Sequence, residues 1–541
     1  MKMKRYQLLV LHVVALFALA GCSNDDITQD KGTQESEDLT GMTEFAVKET
    51  PASTSTRTMG IYSGSGIDFY WTSGDKLWIN NPTATPALVE SKKDNISKLL
   101  AEGDGKKTAT AKFYFLGTYT APSYKVRYTG NGNTMSDKVT IKSVQNQETP
   151  NDGSHIGTDG DCGTATATRN GARYDFTLSH KASYLTFTPY YSHGFTKDVK
   201  VTQIKVTADK PMAGTYKFDD AGIQTDNATS TSKSITLKLK GGGDNGFIIP
   251  KEASYADNAA IMVLAPGIYK NFTVEYTLYD QVTHARGTVS KNYGTLSFHE
   301  GKNKIVAADL DIVYRGDKLY MWDAKQDYWY GYESEQPAID GVSGTHYPKS
   351  KTADPMRWYN DVKLSSGQSY TATGKAAVCP NVNEMAWYIF KGAPHWDGDK
   401  LFSFAGHLSK GGMWFKKKAV IMSENHLTDV AMKAKYDNTD YRSYRPSIPN
   451  WSLLNKSITI GAPSNVDNYF FLPAIGYFFK GSFYSGSFIQ GNQNGLYGDY
   501  WTSSASNLNG NENAYNLAFR ENVAGIYVST RLKGAMTIAF E

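Results

Sequence analysis

Short runs in which apolar and polar residues alternate recur along most of this chain, separated by glycine, asparagine and aspartate turns. The runs at 183–188, 199–206 and 272–279 have this period of two, which predicts strands with one buried face. Residues 260–266 form a continuous apolar run, which is typical of a central strand. The chain is therefore predicted to be mainly β.

A turn signal adds one specific pairing to this prediction. Residues 69–71 and 76–79 read as strands, and the turn residues at 72–75 lie between them. Strand-like runs joined by so short a turn predict a β-hairpin.

Tryptophan usage and strand patterns suggest where the chain divides. Eight of the ten tryptophans lie between Trp322 and Trp501, and a strand-like run ends near residue 313. A second break is expected at 192–194. These boundaries predict one β-sandwich at 44–193, a second at 194–313 and a different unit at 314–541, within the two to four domains that about 500 residues suggest.

The number and spacing of the cysteines indicate how these domains must be stabilised. The chain has only three, Cys22, Cys162 and Cys379, and they are far apart in the sequence. A disulfide framework is therefore excluded, and each domain is expected to need its own hydrophobic core.

The last unit shows helical as well as strand patterns. Val382, Met385, Ala386 and Ile389 follow helical spacing, and Asn381 with a glutamate at 384 matches a capping box. Strand-like runs follow near the end, with long loops between them. This pattern predicts an α+β unit whose loops carry function.

The N-terminus has the features of an export signal. A cationic start precedes an apolar run at 8–20, which is too short to span a bilayer, and Leu-Ala-Gly-Cys ends at Cys22. We predict a lipoprotein signal peptide at 1–21, a lipid on Cys22 and a flexible tether at 22–43. The alternative is an ordinary secretory peptide with a chance cysteine.

The net charge and the absence of common motifs argue against several classes of function. The net charge is +4 with no basic stripe, so nucleic acid is not an expected partner. No common hydrolase, metalloprotease or P-loop motif occurs. The segment 395–399 has too few oxygen ligands for calcium and is interpreted as a turn. The chain is therefore predicted to be a non-enzyme without cofactor or metal.

The first part of the chain resembles the fimbrillin family of lipoproteins, the subunits of type V pili. The matching residues are 56–58, 69–71, 73–77, Phe176, Leu178, His180, Ala182, Leu185, Phe187 and 298–304. The resemblance covers about residues 1–313 and implies two transthyretin-like β-sandwich domains. It also implies a surface-exposed outer-membrane lipoprotein that is delivered to a fimbrium.

The last part is similar to the major paralogous domain of bacterial surface lipoproteins and to C-type-lectin-like folds. The matching residues are 379–381, Glu384, Met385, 472–474, Gly476, Tyr477, 500–504 and 514–518, together with Phe519. The usual lectin disulfides and calcium-binding triplets are absent, which does not fit calcium-dependent sugar binding.

The fimbrillin resemblance implies a route of assembly. An Arg-specific protease would cut between Arg57 and Thr58 and release the strand at 45–48, and a strand from another pilin subunit would fill the groove. The alternative reading is that Arg57 is one more exposed arginine in a Ser/Thr-rich loop.

The folded last unit implies a tip or accessory subunit with an adhesin domain for a host or bacterial glycan or protein. Trp396, Trp414, Trp451 and Trp501 are candidates for stacking on sugar rings, or else core residues. The alternative function is a surface glycan-binding lipoprotein that never polymerises.

Overall fold

The computed structural model describes residues 38–48, 59–64, 66–103, 105–365, 367–444, 452–485, 496–508 and 512–541. Strands far outnumber helices in these ranges, and the helices are short. The prediction of a mainly β fold is therefore confirmed. Within these ranges, no helix is long and apolar enough to cross a membrane.

The elements of the first part, in chain order, are β1 (Met42–Val47), β2 (Met59–Tyr62), β3 (Ile67–Tyr70), β4 (Trp78–Asn80), β5 (Leu88–Glu90), β6 (Lys93–Asp94), α1 (Ile96–Glu102), β7 (Lys112–Leu116), β8 (Ser123–Tyr128), β9 (Lys138–Ile141), β10 (Val144–Gln147), α2 (Ile156–Asp159), β11 (Gly163–Asn170), β12 (Arg173–Phe176) and β13 (Ser179–His180).

Most of these strands form one sheet in the order β5-β4-β8-β11-β12-β1-β7-β6, with β13 beside β11. Its buried side chains, with those of the segments that adjoin it, form the first core, which includes Phe45, Trp71, Phe113 and Tyr128. The sheet begins with β1 at Met42, so the end of the expected tether at 22–43 is already a strand.

The hairpin expected across 72–75 is not formed, and that prediction was wrong. β3 pairs with β2, whereas β4 pairs with β5 and β8 in a different sheet. The chain instead passes from one core to another between Phe69 and Trp71, immediately before the turn. The turn is held by the buried Asp75, whose carboxylate accepts hydrogen bonds from the Thr72 amide (2.8 Å) and the Tyr128 hydroxyl (2.9 Å).

The elements of the second part are β14 (Ser183–Tyr190), β15 (Val199–Thr207), β16 (Ala213–Phe218), β17 (Ile223–Ser232), β18 (Ser234–Leu239), β19 (Phe247–Ile248), α3 (Tyr255–Asn258), β20 (Ala260–Leu264), β21 (Gly267–Tyr269), β22 (Thr273–Asp280), β23 (Arg286–Asn292), β24 (Leu296–Phe298) and β25 (Asn303–Asp309). The two main sheets have the orders β10-β18-β15-β22-β23 and β20-β14-β25.

The second core does not follow the expected boundary at 193–194. It contains side chains from β2, β3 and β9, which come earlier in the chain. β14, expected at the end of the first sandwich, lies between β20 and β25 and is buried on both faces. The two cores therefore alternate along the chain, and the last described crossing from the first core to the second falls near residues 180–182, where β14 begins the second core's smaller sheet.

The apolar strand β20 is buried, but it is not central in its sheet. It pairs with β14 alone among the named strands. Its other edge is satisfied by two buried glutamine side chains of β10. Gln145 bonds both backbone groups of Val263 (2.7 and 2.9 Å), and Gln147 bonds the Ile261 amide (2.7 Å). These amides replace a neighbouring strand, because buried backbone groups need partners.

The elements of the last part are β26 (Val313–Tyr314), β27 (Leu319–Tyr320), α4 (Val382–Lys391), β28 (His395–Phe404), β29 (His407–Lys416), α5 (Lys418–Glu424), α6 (Asp429–Ala434), β30 (Ser452–Asn455), β31 (Thr459–Ile460), β32 (Tyr469–Pro473), β33 (Tyr477–Phe479), β34 (Ser482–Tyr484), β35 (Gly498–Ala505), β36 (Asn513–Arg520), β37 (Val523–Thr530) and β38 (Ala535–Met536), with 3-10 turns at Glu333–Glu335, Lys375–Val378 and Val466–Asn468. The main sheets have the orders β26-β28-β29-β32 and β27-β38-β35-β36-β37-β30.

The third core packs α4 among these sheets, and the predicted helix and capping box are confirmed. The Asn381 side chain accepts a hydrogen bond from the Glu384 amide, and the Glu384 carboxylate accepts one from the Asn381 amide. Cys162 and Cys379 are both free and buried, in agreement with the exclusion of a disulfide framework.

The second and third cores meet at a tight joint. Leu401 and Leu408, on β28 and β29, pack into the second core. Beside them the buried carboxylate of Asp280 accepts hydrogen bonds from His407 Nδ1 (3.0 Å) and the Leu408 amide (2.9 Å). The last part of the chain is therefore joined to the second part by apolar side chains that pack into the second core and by buried hydrogen bonds.

Candidate assembly groove and ligand-binding surface

β1 lies inside the first sheet and has a neighbour on each side. It runs antiparallel to β7, with Phe45 opposite Phe113, and parallel to β12, with Phe45 opposite Tyr174. The strand therefore hydrogen-bonds along both of its edges. Its removal would leave the backbone groups of β7 and β12 without partners, which is a strong template for another strand.

Phe45 is the anchor of β1. Its side chain is fully buried and meets four aromatic rings. It stacks on Tyr174 (centroids 4.7 Å apart) and makes edge contacts with Phe115 (5.0 Å), Tyr119 (5.4 Å) and Tyr124 (6.3 Å). We call these four rings the aromatic box.

The opposite face of β1 carries charge at its start. Glu44 lies 3.2 Å from the ammonium of Lys112 and 3.9 Å from the guanidinium of Arg173. Ala46 follows on the same face, opposite Lys112 on one side and Asp175 on the other, and is 5% exposed. The basic pair thus lies on the two strands that flank β1.

The chain belongs to the first sheet through β1, and the next described strand, β2, belongs to a different sheet. The Lys48 amide donates to the Phe176 carbonyl (2.8 Å). The following described strand, β2, bridges to Gly153, and the Tyr62 amide donates to Asn151 Oδ1 (2.8 Å). Both strands are thus anchored independently of the segment that joins them.

Four of the predicted site residues lie outside the described residues. They are Cys22, Arg57, Thr58 and Trp451. Arg57 and Thr58 belong to the segment 49–58, which joins β1 to β2.

The other three candidate tryptophans do not form one surface. Trp501 is fully buried, and its indole N–H donates to the Tyr320 carbonyl (2.8 Å). Trp396 is 6% exposed and packs in the third core. The structure therefore assigns both rings to the core and not to sugar stacking, because their faces are covered by protein.

Trp414 differs, because it is only half-buried. It is opposite His395 in the β28–β29 pair, on the face away from Trp396. Its indole N–H donates to Asp397 Oδ2 (3.2 Å), and the ammonium of Lys400 lies 5.8 Å from the ring centroid. An aromatic ring bordered by charged groups can contact a polar ligand.

A second aromatic surface lies on the long segment between β27 and α4. Tyr332 is 39% exposed and stacks on His346, with ring centroids 4.8 Å apart and an interplanar angle of 4°. The buried guanidinium of Arg357 lies 4.9 Å from the Tyr332 ring and donates to the Tyr328 (3.1 Å) and His346 (2.8 Å) carbonyls. We call Tyr332, His346 and Arg357 the tyrosine platform.

An acidic side chain stabilises the same platform. Glu335 accepts hydrogen bonds from the Thr345 amide (2.9 Å) and from the imidazole of His346. The backbone amide of Thr345 is the main cause that lowers the pKa of Glu335 to about 2. The platform was not predicted, because a tyrosine, a histidine and an arginine scattered over 26 loop positions give no periodic signal.

A cavity of about 330 Å³ lies at the joint between the second and third units. Its walls include Phe402 and Ile339, and His407 and Ser409 add polar groups. In the described ranges, no group of three or more His, Cys, Asp or Glu residues could hold a metal ion.

Comparison with known proteins gives only remote structural neighbours. No family model matches the sequence, and no curated protein matches it. A candidate cell adhesion protein from Bacteroides ovatus is 11% identical over 50% of this chain and 92% of its own, with a TM-score of 0.31. A similar protein from Bacteroides uniformis is 12% identical over 50% and 94%, with a TM-score of 0.29. A fimbrial protein from Bacteroides ovatus is 9% identical over 90% and 99%, with a TM-score of 0.25.

Proposed function

We propose that this protein is an adhesin subunit of a fimbrium, assembled through the groove that β1 fills. The observation that carries the proposal is the two-sided pairing of β1, which is joined to the rest of the chain through the segment containing Arg57. Cleavage after Arg57 would leave β1 held only by non-covalent contacts. A strand from another subunit would then replace it.

Strand exchange is favourable only if the incoming strand restores the backbone hydrogen bonds and the buried side chains that β1 supplies. Loss of β1 would expose two rows of backbone groups and the aromatic box. Backbone hydrogen bonds give such a strand affinity, and alternating side chains give it register. The groove therefore provides a site for a pilin partner without any change in the rest of the sheet.

The last unit, 314–541, is proposed to be the adhesin, with a C-type-lectin-like fold after two transthyretin-like sandwiches. Residues 535–541 are bound within it, since Phe540 packs on Tyr388 (5.3 Å) and the Lys418 amide donates to the Glu541 carbonyl (2.7 Å). These residues are therefore not an extended strand ready for donation. The proposal places the subunit at a tip or accessory position, where the last unit can contact a ligand.

The ligand is proposed to be a surface glycan or protein of a host or bacterial cell. The half-buried Trp414 and the exposed ring of Tyr332 in the tyrosine platform are the aromatic groups that support a glycan. In the same proposal the precursor is held at the outer membrane by the lipid on Cys22, after removal of the signal peptide 1–21.

Arg57→Ala in the full chain tests the proposal. We expect the wild type to begin at Thr58 after secretion and to join a polymer, and the variant to keep its N-terminal segment and remain unassembled. N-terminal sequencing and electron microscopy measure the two outcomes. Arg286→Ala is the control, because Arg286 is a partly exposed arginine of the second part that pairs with Asp244 and lies over the ring of Tyr279.

Normal processing and polymer formation by Arg57→Ala would refute the proposed cleavage site. A lipidated Cys22 start on every wild-type molecule would instead support the second candidate, a surface glycan-binding lipoprotein that does not polymerise. The exposed tyrosine platform is the observation that favours this candidate, because a ligand could bind the platform on a single molecule that has not joined a polymer.

A further inference from the structure

We propose that the groove under β1 selects its incoming strand by a four-residue pattern: an acidic, an aromatic, a small and an aliphatic residue, in that order. In the structure the pattern is occupied by residues 44–47, Glu-Phe-Ala-Val. This inference rests on the proposed strand exchange and names the chemistry of the partner.

The aromatic position carries most of the selectivity. The aromatic box surrounds Phe45 with four rings at centroid distances of 4.7 to 6.3 Å. Hydrogen bonds also hold the Tyr174 ring of the box in place, because its hydroxyl donates to the Tyr119 (3.1 Å) and Ala121 (2.7 Å) carbonyls. A rigid box of this size leaves an empty space when the incoming side chain is small.

The next two positions restrict size. Ala46 is 5% exposed although it faces away from the first core, between its cross-strand neighbours Lys112 and Asp175. A large side chain there would have to displace the ion pairs around it. Val47 returns to the first core and is 7% exposed, so an aliphatic side chain fits that position.

The acidic position sets direction as well as affinity. Lys112 and Arg173 flank the groove from opposite sides and lie 3.2 and 3.9 Å from Glu44, and Arg173 also pairs with Asp175 (2.8 Å). A strand inserted in the reverse direction would bring its acidic residue to the other end of the pattern, away from this basic pair. The groove therefore favours strands that run parallel to β12 with the acidic residue first.

The strand is expected to come from another subunit. The order acidic, aromatic, small, aliphatic recurs in this chain at 175–178 and 275–278, with threonine as the small residue. The first stretch begins in β12, which forms one wall of the groove and stays paired with β11, and the second lies in β22, which pairs on both sides. Neither is free to leave, so a second pilin carrying the pattern is the fitting partner.

The test uses the full chain with a specific protease site inserted within 49–58, so that it does not depend on Arg57. After cleavage, binding of a fluorescent peptide of residues 40–48 is followed by polarisation as it replaces β1 in mild urea. Peptides with Phe45→Ala, Ala46→Phe and Glu44→Lys, and a peptide with the order of 44–47 reversed, are compared with it.

We expect the native peptide to bind and the Phe45→Ala peptide to bind about 100-fold more weakly, as a large-to-small change in a core predicts. The Ala46→Phe peptide should lose about tenfold through overpacking. The Glu44→Lys peptide should lose about threefold to tenfold, less at high salt. Arg173→Glu in the protein should restore its binding, since Arg173 is partly exposed and its replacement leaves the core intact.

Two failures are distinguishable. If the native peptide does not bind the cleaved protein, the groove does not exchange strands and the proposed function is refuted with it. If all the peptides, including the reversed one, bind within about threefold of one another, exchange stands but the selective pattern is overturned.

Discussion

Replacement of Asp280 by asparagine should loosen the joint between the second and third units. The Asp280 side chain is fully buried. One carboxylate oxygen accepts hydrogen bonds from the Val282 (2.8 Å) and Thr283 (3.2 Å) amides, and the other from His407 and the Leu408 amide. All four partners are donors. An asparagine has only one oxygen, so its amide group must face donors at one of the two positions.

The expected loss follows from these bonds. A hydrogen bond to a charged group contributes about 1.5–3 kcal/mol. The asparagine side chain would keep one pair of bonds and lose the other. We therefore expect Asp280→Asn to lower the free energy of unfolding by about 3 kcal/mol.

Urea unfolding of the full chain, followed by tryptophan fluorescence, measures this loss. Eight of the ten tryptophans lie between Trp322 and Trp501 and none lies between residues 183 and 312, so the signal reports mainly on the third unit. Asp399→Asn is the control, because Asp399 pairs with Lys410 while its side chain is 94% exposed. A loss below about 1 kcal/mol in Asp280→Asn, equal to the control, would refute the role of this carboxylate.

The same carboxylate predicts a pH dependence. Burial alone would raise the pKa of Asp280, but the hydrogen bonds from His407 and the Val282 and Leu408 amides hold it below its usual value of 3.8. A carboxyl with a lowered folded-state pKa stabilises the fold above its unfolded pKa. This contribution is lost as the pH falls through the lower, folded-state pKa. The stability of Asp280→Asn should therefore change less than that of the wild type below about pH 4.

Three further substitutions test the last unit, 314–541. Asn381→Ala removes the cap of α4 and its bond to the Glu384 amide, so thermal unfolding should show a loss of about 1 kcal/mol, and an unchanged melting temperature would contradict the capping role. Trp501→Ala should cost about 3–5 kcal/mol because the ring is fully buried, whereas Trp414→Ala should cost about 1–2 kcal/mol and reduce glycan-array binding. Equal losses of stability in the two tryptophan variants would refute this assignment of core and surface.

Features that depend on neighbouring residues could be predicted from the sequence. The period-two runs indicated a mainly β fold, because alternation reports directly which side of a strand is buried. The capping box at Asn381 and Glu384 was predicted correctly for the same reason, since both of its hydrogen bonds join residues three positions apart. The absence of a disulfide framework followed from cysteine count and spacing alone.

Features that depend on which strands pair were decided by the tertiary structure. The turn at 72–75 is local, but its flanking strands found partners in different sheets. The burial of Trp501 and the assembly of Tyr332, His346 and Arg357 are likewise long-range. Phe45 illustrates both sources. The fimbrillin resemblance placed it in a strand at 45–48, but only the folding of β7, β8 and β12 around it builds the aromatic box, because those rings come from positions up to 129 residues farther along the chain.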